Sequence, residues 1–197
     1  MRRSLLLVPL LLTVLAPARA ETLHGLGFTY DFASITSKVP SSYSFHAPAF
    51  TWTMSGAEPS GWAAQVSLLI PAQARQDGAI YAATRFYKRF WGLDALVGRA
   101  WRFPLTERLE LEGGGGAHLN TLALTAIDGY RDWTSLTAGL GGSGLVRYRT
   151  TGAFFARPLS VSAFSSLSVD FLDLLRGGDL RWGVHFAAGV QLAVALD

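Results

Sequence analysis

Large apolar residues alternate with small or polar residues along most of the chain, and helical spacing of apolar positions is scarce. In 181–196, for example, Trp182 and Phe186 share one face, whereas Gly183 and His185 share the other. Successive side chains of a strand point to opposite sides, so this pattern predicts a strand with two unlike faces. The same alternation predicts eight strands, over 24–33, 47–55, 62–70, 91–103, 109–122, 136–149, 159–171 and 181–196.

The sizes of the side chains on the two faces indicate which face lies inside. Eight alternating strands can close around an apolar interior and be soluble, or around a polar interior and lie in lipid. Here the polar faces carry mainly Gly, Ala, Ser and Thr, which fit a narrow interior, and the apolar faces carry bulky residues. Aromatic residues near the strand ends suit the girdles of a membrane barrel, and they are Trp52, Trp62, Trp91, Trp101, Phe103, Tyr148, Phe171 and Trp182. The predicted fold is therefore all-β, an eight-stranded antiparallel up-and-down transmembrane β-barrel.

The predicted connections alternate in length. With the N-terminus on the periplasmic side, the outer connections are 34–46, 71–90, 123–135 and 172–180, and the inner ones are 56–61, 104–108 and 150–158. The first three outer segments exceed the first two inner ones, as in outer-membrane barrels. Residues 80–87 have strand-like content, so we expect 71–90 to extend the fourth strand above the membrane. Phe154 and Phe155 are unexpected in a plain turn, and Arg99, on an apolar face, requires a bulge or an interfacial position.

Residues 1–20 have the features of a cleaved export signal. Arg2 and Arg3 precede a short apolar stretch, and Ala18-Arg19-Ala20 forms an A-x-A cleavage site, which leaves 21–197 as the barrel domain. The formal net charge of +3 comes from this segment, because removing its three arginines leaves 17 − 3 = 14 basic residues against 14 acidic ones. The mature chain gives no electrostatic reason to expect nucleic acid as a partner. The chain has no Cys, which excludes a disulfide scaffold.

The signal, the strand count, the alternation and the girdle residues together give the chain a family resemblance over nearly all of 21–197. It resembles the small eight-stranded outer-membrane barrels of Gram-negative bacteria, of the OmpA-domain, OmpX and OmpW kind. The resemblance implies a location in the cell outer membrane and insertion by the barrel-assembly machinery, which reads a C-terminal strand ending in an aromatic residue. Residues 188–196 alternate as required, but the chain ends Leu196-Asp197.

Several charged residues fall on the faces predicted to line the lumen. They are Asp31, Asp94, Arg102, Glu110, Glu112, His118, Arg147, Arg149 and Asp170. Buried charges need partners because desolvation is costly. We expect the acidic residues to pair with the three arginines, with Gln65, His118 and Gln191 filling gaps. The result is either a structural plug or a narrow path for water or small solutes.

Other candidate chemistry is weak. Residues 139–144 fit G-x-G-x-x-G, but a dinucleotide site needs this sequence to open a helix, and here a strand continues to Tyr148. Glycines that relieve crowding inside a narrow barrel are the better interpretation of 139–144 and of 113–116. No group of His, Asp and Glu has metal-ligand spacing along the chain, and we expect no cofactor, no metal and no catalytic residue.

The outer end of the fourth strand carries the clearest candidate for a contact with the surroundings. Arg85, Lys88 and Arg89 are mixed with aromatic residues, a combination that suits lipopolysaccharide phosphates and acyl chains. The sequence therefore predicts a monomeric barrel with a structural or surface-interaction role and with lipid and lipopolysaccharide as partners. A narrow solute channel and a soluble lipocalin-like binder remain as alternatives.

Overall fold

The backbone forms ten strands and no other regular element in the part of the chain that the structure describes. The structure, a computed structural model, describes residues 22–37, 42–56, 58–70, 73–76, 79–82, 87–127, 133–175 and 180–196. The strands are β1 (Thr22–Ser37), β2 (Ser42–Gly56), β3 (Ser60–Leu69), β4 (Gln73–Gln76), β5 (Ala79–Ala82), β6 (Tyr87–Pro104), β7 (Leu109–Ala126), β8 (Trp133–Phe154), β9 (Arg157–Asp173) and β10 (Leu180–Leu196). Within these ranges no helix is long and apolar enough to cross a membrane. The predicted signal, 1–20, lies outside them.

Eight of the strands close into a ring, which confirms the predicted barrel. Each strand pairs antiparallel with its neighbours in the order β1-β10-β9-β8-β7-β6-β3-β2, and β1 also pairs with β2. Thr22 at the start of β1 faces both Leu196 and Gly56, so both ends of the barrel chain lie at the same rim. We call this rim the terminal end and the opposite rim the outer end.

The two faces of the sheet are arranged as the side-chain sizes predict. Leu26, Phe28 and Val190 on the apolar faces are 60% exposed or more, whereas Thr51 and Ser67 on the polar faces are almost fully buried. The large apolar side chains therefore form the exterior, and small, polar and charged side chains fill the lumen. This arrangement rules out the lipocalin-like alternative, which requires an apolar interior.

The exterior has the height of a bilayer core. Trp91 and Trp101 are ten residues apart on β6, and both are about half exposed on the outer face. At about 3.4 Å per residue and a tilt of about 45°, this spacing corresponds to roughly 24 Å along the membrane normal, close to the apolar band of known barrels. Trp52, Trp62, Phe103 and Tyr148 lie with Trp101 near the terminal end, and Phe171 and Trp182 lie near the outer end.

Arg99 occupies an interfacial position. It is exposed on the outer face of β6, opposite Trp62, and its guanidinium carbon lies 5.9 Å from the centre of that indole ring. The register of β6 is regular at this point, so no bulge is needed. Its neighbour Trp101 belongs to the girdle at the terminal end, where a long basic side chain reaches the polar headgroups.

The strands run further at the outer end than the alternation predicts. β1 continues to Ser37 and β6 begins at Tyr87, so parts of the predicted loops 34–46 and 71–90 are strand. Within 71–90, β4 pairs with the outer part of β2 and with β5. The prediction that 71–90 extends the fourth strand of the ring, β6, was therefore wrong for most of this segment. β4 and β5 form a separate hairpin, in which β4 continues the pairing of β3 with β2, and β6 begins only at Tyr87. Outside the bilayer both faces of a strand meet water, so backbone pairing persists there without apolar alternation.

The glycines of the two glycine-rich segments lie on both faces of the sheet. The interpretation that they relieve crowding in the lumen therefore applies only to those that face inward. Gly116 faces the lumen, where a Cβ atom would lie 2.1 Å from the carbonyl oxygen of Val97, so a larger residue does not fit. Gly113 and Gly144, in contrast, face outward into open space. With Phe103 and Val146 they line a groove of about 600 Å³ on the lipid side.

The inner connection predicted over 150–158 is a two-residue turn at the tip of a long hairpin. β8 runs to Phe154, β9 starts at Arg157, and the register shifts between Arg149 and Ala153. Phe155 and Ala156 have positive φ angles of 48° and 61°, the conformation of a type I′ turn, in which Asn and Gly are usual. The lack of those residues is why the sequence does not reveal the turn.

Replacing Ala156 by glycine should therefore stabilise the barrel. A left-handed conformation costs a non-glycine residue about 1–2 kcal/mol, so we expect A156G to raise the free energy of unfolding by about 1 kcal/mol. The measurement is urea unfolding of the folded barrel in detergent or vesicles. The control is A117G at an ordinary strand position, which should lower stability by about 0.5–1 kcal/mol. A loss of stability in A156G would contradict the strained turn.

Candidate functional site: the charged lumen

Two arginines and two glutamates form a buried ionic cluster near the terminal end. Arg147 Nη1 donates to Glu110 Oε1 over 2.5 Å, and Arg147 Nη2 donates to Glu112 Oε2 over 3.2 Å. Arg102 Nε donates to the same Glu112 oxygen over 3.0 Å. Arg149 adds a contact to Glu110 Oε2 at 3.2 Å, but its side chain is 59% exposed. We call these five residues the terminal cluster.

The terminal cluster reaches across the lumen to β2. Arg102 Nη2 donates to Ser55 Oγ over 2.7 Å, and Ser55 Oγ donates to Glu112 Oε2 over 3.2 Å. β2 and β7 are separated by two intervening strands in the shorter direction around the ring, so these bonds close the interior. Arg147 Nε is buried without a hydrogen-bond partner among the described residues.

Two aspartates and two histidines form a second cluster, nearer the outer end. His118 Nδ1 lies 2.6 Å from Asp170 Oδ1, and His118 Nε2 lies 2.7 Å from Asp94 Oδ2. His185 Nε2 lies 3.0 Å from Asp170 Oδ2, and its Nδ1 lies 4.0 Å from Asp94 Oδ2. All four residues are at least nine-tenths buried. We call them the histidine cluster.

Neighbouring polar side chains orient the carboxylates of the histidine cluster. Asn120 Nδ2 donates to Asp94 Oδ2 over 3.0 Å, and the hydroxyl of Thr137 donates to Asp170 Oδ2. The two imidazole rings are 4.8 Å apart between centroids and are tilted by 48°. Among the described side chains that contact Asp94 and Asp170, no arginine or lysine is present. The imidazoles are thus the only basic groups among the described side chains that contact these carboxylates.

Apolar side chains separate the two clusters and cover the second. Leu96, Leu145 and Phe164 are buried in the lumen between the clusters. At the same level Gln65 on β3 donates to Ser166 on β9 over 3.3 Å, and these strands lie on opposite sides of the ring. On the outer side, Phe45 and Leu122 are buried above the histidine cluster, so the lumen is filled along most of its length.

The structure brings most of the predicted lumen residues together, but the pairing differs from the prediction for the aspartates. Asp94 and Asp170 contact His118 and His185, whereas the arginines lie in the terminal cluster. Asp31 joins neither: it is buried and accepts a long hydrogen bond from Thr29 Oγ1, 3.4 Å. The arginines therefore contact the two glutamates and not the aspartates, because depth along the barrel, and not the inward direction alone, decides which groups meet.

Sequence reasoning missed His185 as a member of the site. Its position on the small, polar face of β10 shows that it points inward, but its neighbours depend on the register. The pairing of His185 with Ser168 on β9 sets its depth relative to Asp170, two residues further along that strand. Alternation indicates the face of each residue and carries no information on relative depth across strands.

The predicted outer-end basic residues are only partly described. Arg85 lies outside the described residues and Lys88 lies in β6. Arg89 is exposed and stands two residues from Trp91 on the same strand, so it is placed just beyond the outer girdle. This position is compatible with the predicted contact with lipid phosphates.

Solved structures with the same fold are outer-membrane or bacterial surface proteins. Neisserial surface protein A matches with a TM-score of 0.55 and 14% identity, over 87% of this chain and 96% of that chain. The outer membrane protein OprG from Pseudomonas aeruginosa gives 0.52 and 10% over 90% and 96%, and Ail, the attachment invasion locus protein of Yersinia pestis, gives 0.50 and 10% over 89% and 99%. No protein-family model and no curated protein matches the sequence. The shared fold and the apolar exterior make this chain a transmembrane β-barrel of the outer-membrane type.

Removing Arg147 should strongly destabilise the folded barrel. Its loss leaves Glu110 and Glu112 with fewer partners in a buried site, and breaking a buried ion pair in this way costs about 3–5 kcal/mol. The free energy of unfolding of Arg147→Ala, measured by urea titration in detergent, reports this cost.

The matched control is Arg149→Ala, which removes an arginine from the same strand and the same carboxylate partner. Because the Arg149 side chain is largely exposed, its pair with Glu110 should contribute only about 0–1 kcal/mol. Equal losses in the two variants would mean that burial does not set the strength of the terminal cluster.

Proposed function

We propose that the protein is a monomeric, non-catalytic outer-membrane barrel with a sealed lumen and a structural or surface-interaction role. The observation that carries this proposal is contact between strands on opposite sides of the ring. The hydrogen bond between Gln65 and Ser166 and the approach of His185 to Asp94 both join such strands. A lumen crossed at several depths holds the barrel together and leaves its exterior and outer end as the surfaces for interaction.

The size of the internal spaces argues against the narrow-channel alternative. Within the described residues, the space beside Leu96 and Phe164 has a volume of about 40 Å³, and the one between Asp31 and Leu122 has about 10 Å³. The first space holds a few water molecules and the second holds at most one. The apolar side chains between them interrupt any continuous polar path for a hydrated solute.

A sealed lumen predicts no channel activity. The purified barrel, reconstituted in planar lipid bilayers, should give no discrete single-channel steps, while an open porin in parallel bilayers should give them. The physical reason is that the terminal cluster, the apolar layer and the histidine cluster would all have to separate to open a path. Reproducible steps from the folded protein would support the channel in place of the structural role.

Catalysis is not part of the proposal because the lumen histidines are out of reach. His118 is 2% exposed, and both of its ring nitrogens contact carboxylates. A general base has to approach the proton that it removes within hydrogen-bond distance. The filled lumen leaves no room for a substrate beside this imidazole.

Lipopolysaccharide is the surface partner that the outer end suits best. Arg89 is exposed two residues beyond the girdle residue Trp91, and Lys88 and Arg85 precede it in the sequence. The guanidinium of Arg89 at this height meets the lipid phosphates, with which it forms charge-assisted hydrogen bonds. Trp91 supplies the apolar contact for acyl chains.

Lipopolysaccharide should therefore stabilise the folded barrel through these basic residues. We expect it to raise the unfolding temperature in detergent, and we expect the triple variant Arg85→Ala/Lys88→Ala/Arg89→Ala to lose most of that increase. Arg99→Ala is the control, because it removes an exposed arginine near the opposite rim and should keep the increase. An equal increase in the triple variant would overturn the assignment of lipopolysaccharide to this end.

A further inference from the structure

The histidine cluster has the arrangement of a metal-binding site with its supporting residues. One ligand atom from each of Asp94, His118 and His185 lies within 4.8 Å of the other two. Two imidazole nitrogens and one carboxylate oxygen form the donor set that Zn²⁺ and Fe²⁺ take in proteins, with a further position left for water. We propose that Asp94, His118 and His185 bind one divalent transition-metal ion of this class inside the barrel.

The proposed ligand atoms are the two imidazole nitrogens that lie nearest to Asp94 Oδ2, together with that oxygen. His118 Nε2 lies 2.7 Å from Asp94 Oδ2, and His185 Nδ1 lies 4.0 Å from the same oxygen. Tetrahedral ligands about 2.1 Å from Zn²⁺ are about 3.4 Å apart. To bind the metal, the distance from His118 Nε2 to Asp94 Oδ2 has to lengthen by roughly 0.7 Å, and the distance from His185 Nδ1 to the same oxygen has to shorten by roughly 0.6 Å. Small side-chain rotations are sufficient for both changes.

Asp170 occupies the supporting position of such a site. Its two carboxylate oxygens face the imidazole nitrogens that would not bind the metal. Oδ1 is 2.6 Å from His118 Nδ1, and Oδ2 is 3.0 Å from His185 Nε2. Metal-bound histidines usually give their second N–H to a carboxylate in this way, which fixes the ring and strengthens the ligand.

The orientation of the His185 ring is the second observation that bears on a metal ligand. His185 is about nine-tenths buried, and its Nε2 makes no hydrogen bond, although Asp170 Oδ2 is only 3.0 Å away. The ring is thus held at the right distance but off the hydrogen-bond direction. Closing the 4.0 Å gap between Nδ1 and Asp94 around a metal would turn the ring, and this turn provides a way to bring Nε2 into line with Asp170.

Charge balance also favours a divalent cation. Asp94 and Asp170 carry two negative charges, and no basic side chain other than the two imidazoles contacts them among the described residues. A divalent ion with two neutral imidazoles cancels this charge. Binding displaces the proton that His118 Nε2 would otherwise share with Asp94, and this proton passes to solvent, while the proton on Nδ1 stays in its hydrogen bond to Asp170.

The ion would enter as the barrel folds. Phe45 and Leu122 are buried on the outer side of the cluster, and Leu96 and Phe164 are buried on the other side. Because the three ligands lie on β6, β7 and β10, they meet only when the sheet closes. Loading is therefore tested during refolding and not by soaking the folded barrel.

The test is the zinc content of untagged barrel refolded with Zn²⁺ and then dialysed against metal-free buffer. The expected result is one zinc per folded barrel in the wild type and at most a tenth of that in His185→Gln. The chain has four histidines, and His24 and His46 stack on exterior aromatic rings. The matched control is therefore the double variant His24→Gln/His46→Gln, which should retain one zinc.

Two further readouts separate metal binding from a purely structural cluster. X-ray absorption at the zinc edge of the loaded wild type, which needs no variant, should show imidazole ligands about 2.0–2.1 Å from the metal. Asp170→Asn should weaken the affinity by about 10–100-fold without abolishing it. Zinc content well below one per barrel in the wild type, equal content in His185→Gln, or an absorption spectrum without imidazole would overturn the proposal.

Discussion

The narrow interior of an eight-stranded barrel is the constraint on which the rest of this molecule depends. Side chains from opposite strands touch there, and a charge placed in this space loses most of its hydration, which costs several kcal/mol unless a partner replaces the water. The chain nevertheless places Glu110, Glu112, Asp94 and Asp170 inside. Their partners have to come from other strands, so each charged contact also ties the ring together. The sealed lumen is a direct consequence of satisfying these charges.

The same constraint explains why small residues dominate the rest of the lumen. Where arginines and imidazoles occupy the interior, neighbouring positions have to be small, and the backbone itself approaches closely. At Gly116 a single added carbon would lie 2.1 Å from the carbonyl oxygen of Val97. Gly113 and Gly144, three residues away or on the next strand, face lipid and have no such restriction. Glycines in the same segment are therefore under different steric constraints, which depend on the face of the sheet on which each one lies.

The alternation of large and small residues predicts which face of the sheet each side chain occupies. It does not predict how deep a residue lies relative to residues on other strands, nor how far a strand extends beyond the bilayer into water. It places the large apolar residues outside and the lumen charges inside, because lipid and a narrow interior select opposite side-chain sizes. It stopped short of the true strand ends near Ser37 and Tyr87, because beyond the bilayer neither face is selected to be apolar. It could not assign His185 to Asp170, because that contact depends on how β9 and β10 are registered. The turn at Ala156 was hidden by the absence of the usual Asn and Gly.

The two lumen clusters differ in how they reach electrical neutrality, and this difference has consequences. In the terminal cluster the buried groups balance by themselves, since Arg102 and Arg147 face Glu110 and Glu112, and the additional Arg149 extends to the exposed rim. The histidine cluster has two carboxylates, and the basic groups that contact them in the described part of the chain are imidazoles. The apolar layer of Leu96, Leu145 and Phe164 prevents the arginines from making up the difference through direct contact. The charge of Asp94 and Asp170 therefore has to be balanced by protons on the histidines or by the bound cation that we propose.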